Sequence, residues 1–579
     1  VLAVVLGIGD AGEVAVAIPF TLAILVAFAL SIRFWEGRGV RAVRPTGYVT
    51  AGRTILALVP LVVYAAASEQ VSPLVLVGAA VLAIGVMLEE INVPIGEGAI
   101  PVSTNLPGVH VRNYPLFPPS YLYYVDLAAT ALAGVLAFLG APPALFLVVA
   151  SVPLLANVVI AADGSWRILG RKRVERNLGK IVRDYGPEFV LHWDAPRGGE
   201  YQVKMWIPVL EKLDKRFLVI VRNALTFRDV AQSTNVPVVL RQGTADLEAL
   251  PITSLRTAFY VNTALRNNHL VRFSHIAHIQ LNHGDSDKGP SYSPTFRMFD
   301  RNFVAGQAAI DRFEKNGVDV PREMFEIVGR PQVADVRVRA DAVVPQKPTV
   351  LYAPTWSGFF EDANYSSLPQ GPRIVAALLE RGCRVVFRPH PFAYKNPDLR
   401  RGLREIAAML ARDEARTGRG HIWGREAESR MSIVDCFNVS DAMISDVSSV
   451  VSDYLFSEKP FAVCSMLPGM STEAFLADFP LARGAYVLER DGKNLQSVLD
   501  DLLGADPLGD ERRALRTYYL GDFPSEGYEQ NFLRIARHYI ERPVDKLSGS
   551  ARAVAQPPAV TLLEAGDDID ALDEPSIID

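Results

Sequence analysis

The sequence predicts a multi-span α-helical membrane region followed by an α/β domain of two doubly wound halves with a cleft between them. Long apolar stretches are confined to the first 165 residues, and short apolar runs alternate with amphipathic stretches from 185 to about 542. Three polar motifs each directly follow an apolar run that reads as a strand, where open α/β sheets bind ligands. A chain of 579 residues also exceeds one ordinary core.

In the membrane region, stretches 14–32, 71–88, 121–139 and 144–162 are long and apolar enough to span. A fifth, 49–67, carries Arg53 near one end, where its side chain is expected to snorkel to the headgroups. Residues 1–8 are too short to span, and no basic run precedes the apolar stretch as a cleaved signal peptide would require. Arg33, Arg38, Arg41 and Arg44 lie between the first two spans, and Arg167, Arg171, Lys172, Arg173, Arg176 and Lys180 follow the last. Connections 68–70 and 140–143 carry no Lys or Arg. Five spans with an outside N-terminus therefore place both basic clusters and the loop 89–120 in the cytoplasm, that loop lying on the membrane or against the soluble domain. The basic run after the last span is either a topology signal alone or also a grip on anionic lipid or polymer.

Expected boundaries are a membrane region 1–165, a basic linker 166–184, a first Rossmann-like half 185–330, a connector 331–348, a second half 349–545 and an acidic tail 546–579. Strands are expected at 189–191, 217–221, 238–240, 258–261, 278–281, 302–305 and 326–328 in the first half. The second half has strands at 349–353, 384–387, 442–444 and 460–463 and helices at 374–381, 398–412 and 450–456. The overall hydrophobic fraction is 49%, and the net charge of −5 gives no basic signature for nucleic acid. Cys383, Cys436 and Cys464 have no C-x-x-C spacing and read as reduced thiols. The absence of G-x-G-x-x-G, G-x-x-x-x-G-K-[ST] and H-E-x-x-H patterns argues against ordinary dehydrogenases, P-loop NTPases and zincins.

The first motif is the turn Asn282-His283-Gly284-Asp285-Ser286-Asp287-Lys288-Gly289. His283 is suited to accept a proton from an alcohol, Gly284 admits close backbone approach, and Lys288 offers a positive charge. Asp285-Ser286-Asp287 is a triplet of the kind that holds a divalent cation in many nucleotide-sugar enzymes. So short a triplet recurs by chance, so the reading assigns no cofactor and keeps a cation at Asp285/Asp287 as the alternative. As acidic neighbours, both residues are expected to raise the pKa of His283. In Arg388-Pro389-His390-Pro391 the prolines fix the backbone, Arg388 can grip a phosphate bidentately, and His390 can hydrogen-bond or protonate a leaving phosphate. In Ser445-Asp446-Val447-Ser448-Ser449, the serines open a helix whose free N–H groups form an anion site. Ordinary structural roles compete throughout: turn chemistry for His283, a satisfied pair for Arg388 and His390, capping for Ser448 and Ser449.

Taken with Leu351-Tyr352-Ala353-Pro354-Thr355-Trp356 and the continuation to Asp453-Tyr454, these stretches resemble the CDP-glycerol glycerophosphotransferase family, the teichoic-acid primases and polymerases of bacterial walls. The resemblance covers roughly 189–522 and implies a GT-B fold, the nucleotide mainly on the second half and the acceptor near the first. It implies transfer of glycerol-phosphate, or a related polyol-phosphate, from a CDP-activated donor to a lipid-linked cell-wall polymer acceptor, releasing CMP. His283, His390 and Asp285 are then catalytic; Arg388, Thr355, Ser445, Asp446, Ser448, Ser449 and Asp453 meet the donor; Lys288 and Gly284 meet phosphate or acceptor. Asp285 stands where the family usually has Thr, and Val447 where an aromatic is usual, and both bear on the group transferred. The rival readings are a GT-B glycosyltransferase using a nucleotide-sugar and a membrane receptor that binds a nucleotide without turnover. The expected location is the cell membrane, multi-pass, with membrane lipids as partners and the catalytic domain cytoplasmic.

Overall fold

The computed structural model describes residues 46–67, 70–98, 102–110, 112, 115–250, 254–284, 291–339, 345–358 and 364–541. The expected span at 14–32 and the acidic tail lie outside them. So do Asp285, Asp287 and Lys288.

Among the described residues, four helices precede the α/β domain: α1 (Thr46–Ala66), α2 (Pro73–Gly98), α3 (Tyr121–Phe138) and α4 (Pro143–Tyr185). Three stretches among the described residues are long and apolar enough to cross a membrane, Pro73–Gly96, Tyr121–Phe138 and Pro143–Tyr185, while the apolar part of α1, Thr50–Ala66, is shorter. Outward-facing Val77, Leu132, Val148 and Leu155 are about half or more exposed, which suits a lipid-facing surface. Glycines let α2 and α4 run side by side: a Cβ at Gly78 would lie 2.6 Å from Phe146, and one at Gly85 2.7 Å from Pro153. Arg53 departs from expectation. It is buried rather than snorkelled, and its Nη1 donates to Glu89 at 2.6 Å, because a charge facing the bundle needs a partner. Glu89, expected to begin a loop, is inside α2.

The loop after α2 reaches the soluble domain. Its two-residue strand β1 (Ser103–Thr104) pairs antiparallel with β4 (Val238–Leu240), and Asn105 Nδ2 donates to the Thr234 carbonyl at 2.9 Å. The first sheet contains β2 (Phe189–Trp193), β3 (Phe217–Val221), β4, β5 (Thr257–Tyr260), β6 (Ala277–Gln280), β7 (Arg301–Val304) and β8 (Phe325–Ile327). Its order is β1-β4-β3-β2-β5-β6-β7-β8, parallel except at β1. The second sheet has β9 (Thr349–Ala353), β10 (Arg384–Phe387), β11 (Ala442–Asp446), β12 (Phe461–Ser465) and β13 (Tyr486–Glu489) in the parallel order β10-β9-β11-β12-β13. Strand alternation separates its two cores: Leu351 and Ala353 face one, Val350 and Tyr352 the other.

Strand β13 has no counterpart in the sequence reading, since it is a short edge strand of only three apolar residues. The half expected at 349–545 also gives its last helix back to the first sheet. Helix Gln530–Glu541 buries Phe532, Leu533, Ala536 and Ile540 there, Phe532 packs 5.2 Å from Trp206, and the Tyr539 carbonyl accepts from Thr257 Oγ1 at 2.9 Å.

Replacing Gly85 by Leu should force α2 and α4 apart and cost about 1–3 kcal/mol, read as a lowered Tm of the full chain in detergent. An unchanged Tm would mean that this seam is not close-packed.

Candidate active site

The first histidine is placed by a backbone reversal. Strand β6 ends at Gln280, and Asn282 takes the left-handed conformation (φ 59°) that Asn tolerates better than most residues. Asn282 Oδ1 accepts from the His283 amide at 3.0 Å, and its carbonyl accepts from the Trp206 indole at 2.6 Å. The His283 ring is thereby brought under the Val261 carbonyl, 2.7 Å from Nδ1. A carbonyl only accepts, so Nδ1 carries the proton and Nε2 holds the free lone pair. Facing it at 3.5 Å is Nε2 of Gln202 in the one-turn helix α5 (Tyr201–Lys204). The Gln202 carbonyl oxygen accepts from Trp193 Nε1 at 3.2 Å and Asn262 Nδ2 at 2.8 Å, so its amide NH₂ must face the histidine as a donor.

The second histidine has the other tautomer. His390 Nδ1 accepts from the Phe392 amide at 3.1 Å, which leaves the proton of the neutral ring on Nε2. Its ring stacks on Trp356 at 6.2 Å. Tyr201 stands between the two, its ring centroid 5.9 Å from His283 and 6.4 Å from His390, edge-on to both. One half of the molecule thus presents a proton acceptor and the other a proton donor around a common tyrosine. Burial, with Arg330 adding to it, lowers the pKa of His283, although the Val261 bond opposes this; the described surroundings therefore act against the expected acidic influence.

An ion pair and a close approach join the halves beside His283. Arg330, just after β8, binds Asp453 through Nε at 2.8 Å and Nη2 at 3.2 Å, and Nη2 also donates to the His283 carbonyl at 3.4 Å. A Cβ at Gly284 would lie 2.9 Å from the Ser449 side chain, so the turn needs glycine to pass the start of helix Ser449–Leu455. His283, Gly284, Ser449 and Asp453 therefore do converge.

Other expected donor ligands hold the scaffold. Ser445 is fully buried and donates to the Ala353 carbonyl at 2.7 Å. Asp446, also fully buried, accepts from the amides of Thr355 at 2.7 Å and Ser367 at 3.1 Å, fixing the turn after β9. Thr355 in turn is 6% exposed. Arg388 donates through Nη1 to the carbonyls of Ala427 and Met431, which stitches the segment Glu426–Arg430 to β10. Asp453 is engaged by Arg330. Ser448 occupies the N-cap position without a side-chain capping bond. Its buried hydroxyl has no partner among the described residues.

Sequence reasoning missed Tyr201, Gln202, Asn262 and Arg330. Only Arg330 carries a readable signal, an arginine in Gly329-Arg330-Pro331 directly beyond a strand. Among the described residues no group of three His, Cys, Asp or Glu could hold a metal ion.

Replacing His283 by Gln should lower turnover about 10²–10⁴-fold. Because its pKa lies below the ordinary 6.5, the acid limb of kcat/KM should fall below pH 6.5, and Arg330→Met should move that limb upward by removing a positive neighbour. A limb above pH 6.5 in the wild type would contradict this environment.

Comparison with known proteins agrees with the motifs. Residues 330–466 match the family model for CDP-Glycerol:Poly(glycerophosphate) glycerophosphotransferase, which takes in Arg330, Arg388, His390 and Asp453 but not His283. No curated protein matches the chain. Among solved structures, the wall teichoic acid polymerase TagF aligns at 15% identity and a TM-score of 0.40, covering 65% of this chain and 96% of that one. A putative UDP-N-acetylglucosamine 2-epimerase from Listeria monocytogenes aligns at 14% identity and a TM-score of 0.41, covering 61% and 97%. The segment 330–466 thus carries the match to the CDP-glycerol:poly(glycerophosphate) glycerophosphotransferase family model that the motifs imply.

Proposed function

We propose that the protein transfers glycerol-phosphate, or a related polyol-phosphate, from a CDP-activated donor to a lipid-linked cell-wall polymer at the cytoplasmic face of the cell membrane. The observation that carries the chemistry is the pair of opposite tautomers around Tyr201: an unprotonated Nε2 on His283 and a protonated Nε2 on His390. An acceptor hydroxyl oxygen attacks the donor's β-phosphorus while its proton passes to His283 Nε2. The new P–O bond forms as the bond to the CMP oxygen breaks, and His390 Nε2–H hydrogen-bonds the phosphate that leaves. Positioning and preorganised charge supply the rest of the rate, as in phosphoryl transfer generally. Gln202 holds His283 in register, and Arg330–Asp453 keeps the two histidines facing one another.

Asp285 and Lys288 retain their expected roles beside the base, orienting the imidazole or acceptor hydroxyl and meeting phosphate. In this reading Ser449, at the helix start beside Gly284, meets the donor; its closeness to the turn that carries His283 supports the assignment. The three long apolar helices and the belt of exposed apolar side chains support a membrane setting, and the basic residues beyond α4 support a cytoplasmic catalytic domain.

Membranes containing the full chain, incubated with CDP-glycerol, CDP-ribitol, UDP-sugars and GDP-sugars, should release CMP from a CDP-polyol and no UDP or GDP. Release of UDP or GDP instead would establish a nucleotide-sugar transferase. For topology, a reporter fused at Arg173 should read as cytoplasmic and one at Ser68 as external. An external signal at Arg173 would separate the domain from cytoplasmic CDP-activated donors and refute the location.

A further inference from the structure

A cavity of about 410 Å³ lies where α4 leaves the membrane region and meets the edge of the first sheet. Its walls include Ile168, Arg171, Lys172 and Glu175 of α4, Arg241 at the end of β4, and Asp246. Arg241 is 3% exposed; its Nη1 donates to Glu175 at 2.9 Å, while its Nε has no hydrogen-bond partner among the described residues. Asp246 is occupied in accepting from the Gly243 amide at 2.8 Å. Three cations against two carboxylates give the cavity a net positive charge, and the buried guanidinium turns an unmet donor toward it, a chemistry that suits an anion.

The depth of the cavity indicates which anion. Trp166 and Leu169 on α4 are 60% and 64% exposed, the pattern of an aromatic residue at the membrane–water boundary. At 1.5 Å per residue, Arg171 and Lys172 lie about 8 Å further along the helix. The headgroup layer is roughly 5–8 Å thick on each face of a bilayer, so these cations stand at phosphate depth.

The position in the sheet relates the cavity to the reaction. Arg241 follows β4 and His283 follows β6, on the same carboxyl edge and four strand spacings apart, roughly 19 Å. Polar side chains join the two points. Arg222 donates to the carbonyls of Arg241, Gln242 and Gly243 and approaches His192 at 3.3 Å. His192 meets Asn267 at 3.0 Å, Asn267 donates to the Asn262 carbonyl at 2.7 Å, and Asn262 donates to Gln202 at 2.8 Å, next to the base.

We propose that this cavity binds the lipid phosphate of the acceptor, so that the acceptor runs from the membrane along the carboxyl edge of the first sheet to present its terminal hydroxyl to His283. The assignment to the acceptor rests on the function proposed above; the lipid-phosphate site itself does not require turnover. The test uses the full chain in nonionic detergent, titrated calorimetrically with dodecyl phosphate, dodecanol and inorganic phosphate. Dodecyl phosphate should bind, and at least about tenfold more weakly to R241Q and to the double variant R171Q/K172Q, whose side chains are not core and leave folding intact. Dodecanol and inorganic phosphate should bind far more weakly. Equal dodecyl phosphate affinity in the wild type and the double variant overturns the site, and inorganic phosphate binding as tightly overturns its assignment to a lipid. With CDP-glycerol, the double variant should raise KM for the lipid-linked acceptor about tenfold while KM for the donor stays unchanged; an unchanged acceptor KM overturns the link to the acceptor. A wild type that binds dodecyl phosphate yet never releases CMP refutes the function proposed above and leaves the lipid-phosphate site standing.

Discussion

The chemistry proposed for the cleft depends on one hydrogen bond, from His283 Nδ1 to the Val261 carbonyl at 2.7 Å. It commits the imidazole to a tautomer whose free nitrogen faces Gln202 and the cleft, and burial keeps that nitrogen unprotonated near neutral pH. Three constraints support it: the left-handed turn at Asn282, the Trp206 indole on the Asn282 carbonyl, and the Arg330–Asp453 pair between the halves. If the halves separated there, His283 would keep its tautomer, but His390 would no longer share Tyr201 with it.

Much of this architecture is legible in the sequence because buried parallel strands read as apolar runs. Strands β9 and β10 fall at the expected 349–353 and 384–387, and the reversal after β6 places His283 where its motif suggested. Elements whose stability comes from elsewhere were not legible. The two residues of β1 are a strand only because β4 has an open edge, and the last helix belongs to the first sheet through side chains hundreds of residues away.

Among the site residues the division has a common cause. A polar residue beyond a strand marks the cleft edge, but sequence does not show whether its side chain meets a ligand or the backbone. Ser445, Asp446 and Arg388 satisfy carbonyls and amides, which keeps the turns after β9 and β10 in place for His390. Tyr201 and Gln202 have no motif at all; the fold alone brings their one-turn helix between the histidines. Arg53 shows the same ambiguity in the membrane region, where a charge near a span end is bound inward by Glu89.

The central claim is that His283 is neutral with its proton on Nδ1, ready to take a second on Nε2. The ¹⁵N spectrum of the histidine-labelled full chain at pH 7, with His283 assigned by its loss in H283Q, measures this directly. The account predicts a protonated Nδ1 and an unprotonated Nε2 for this residue. A doubly protonated ring, or the proton on Nε2, would contradict it.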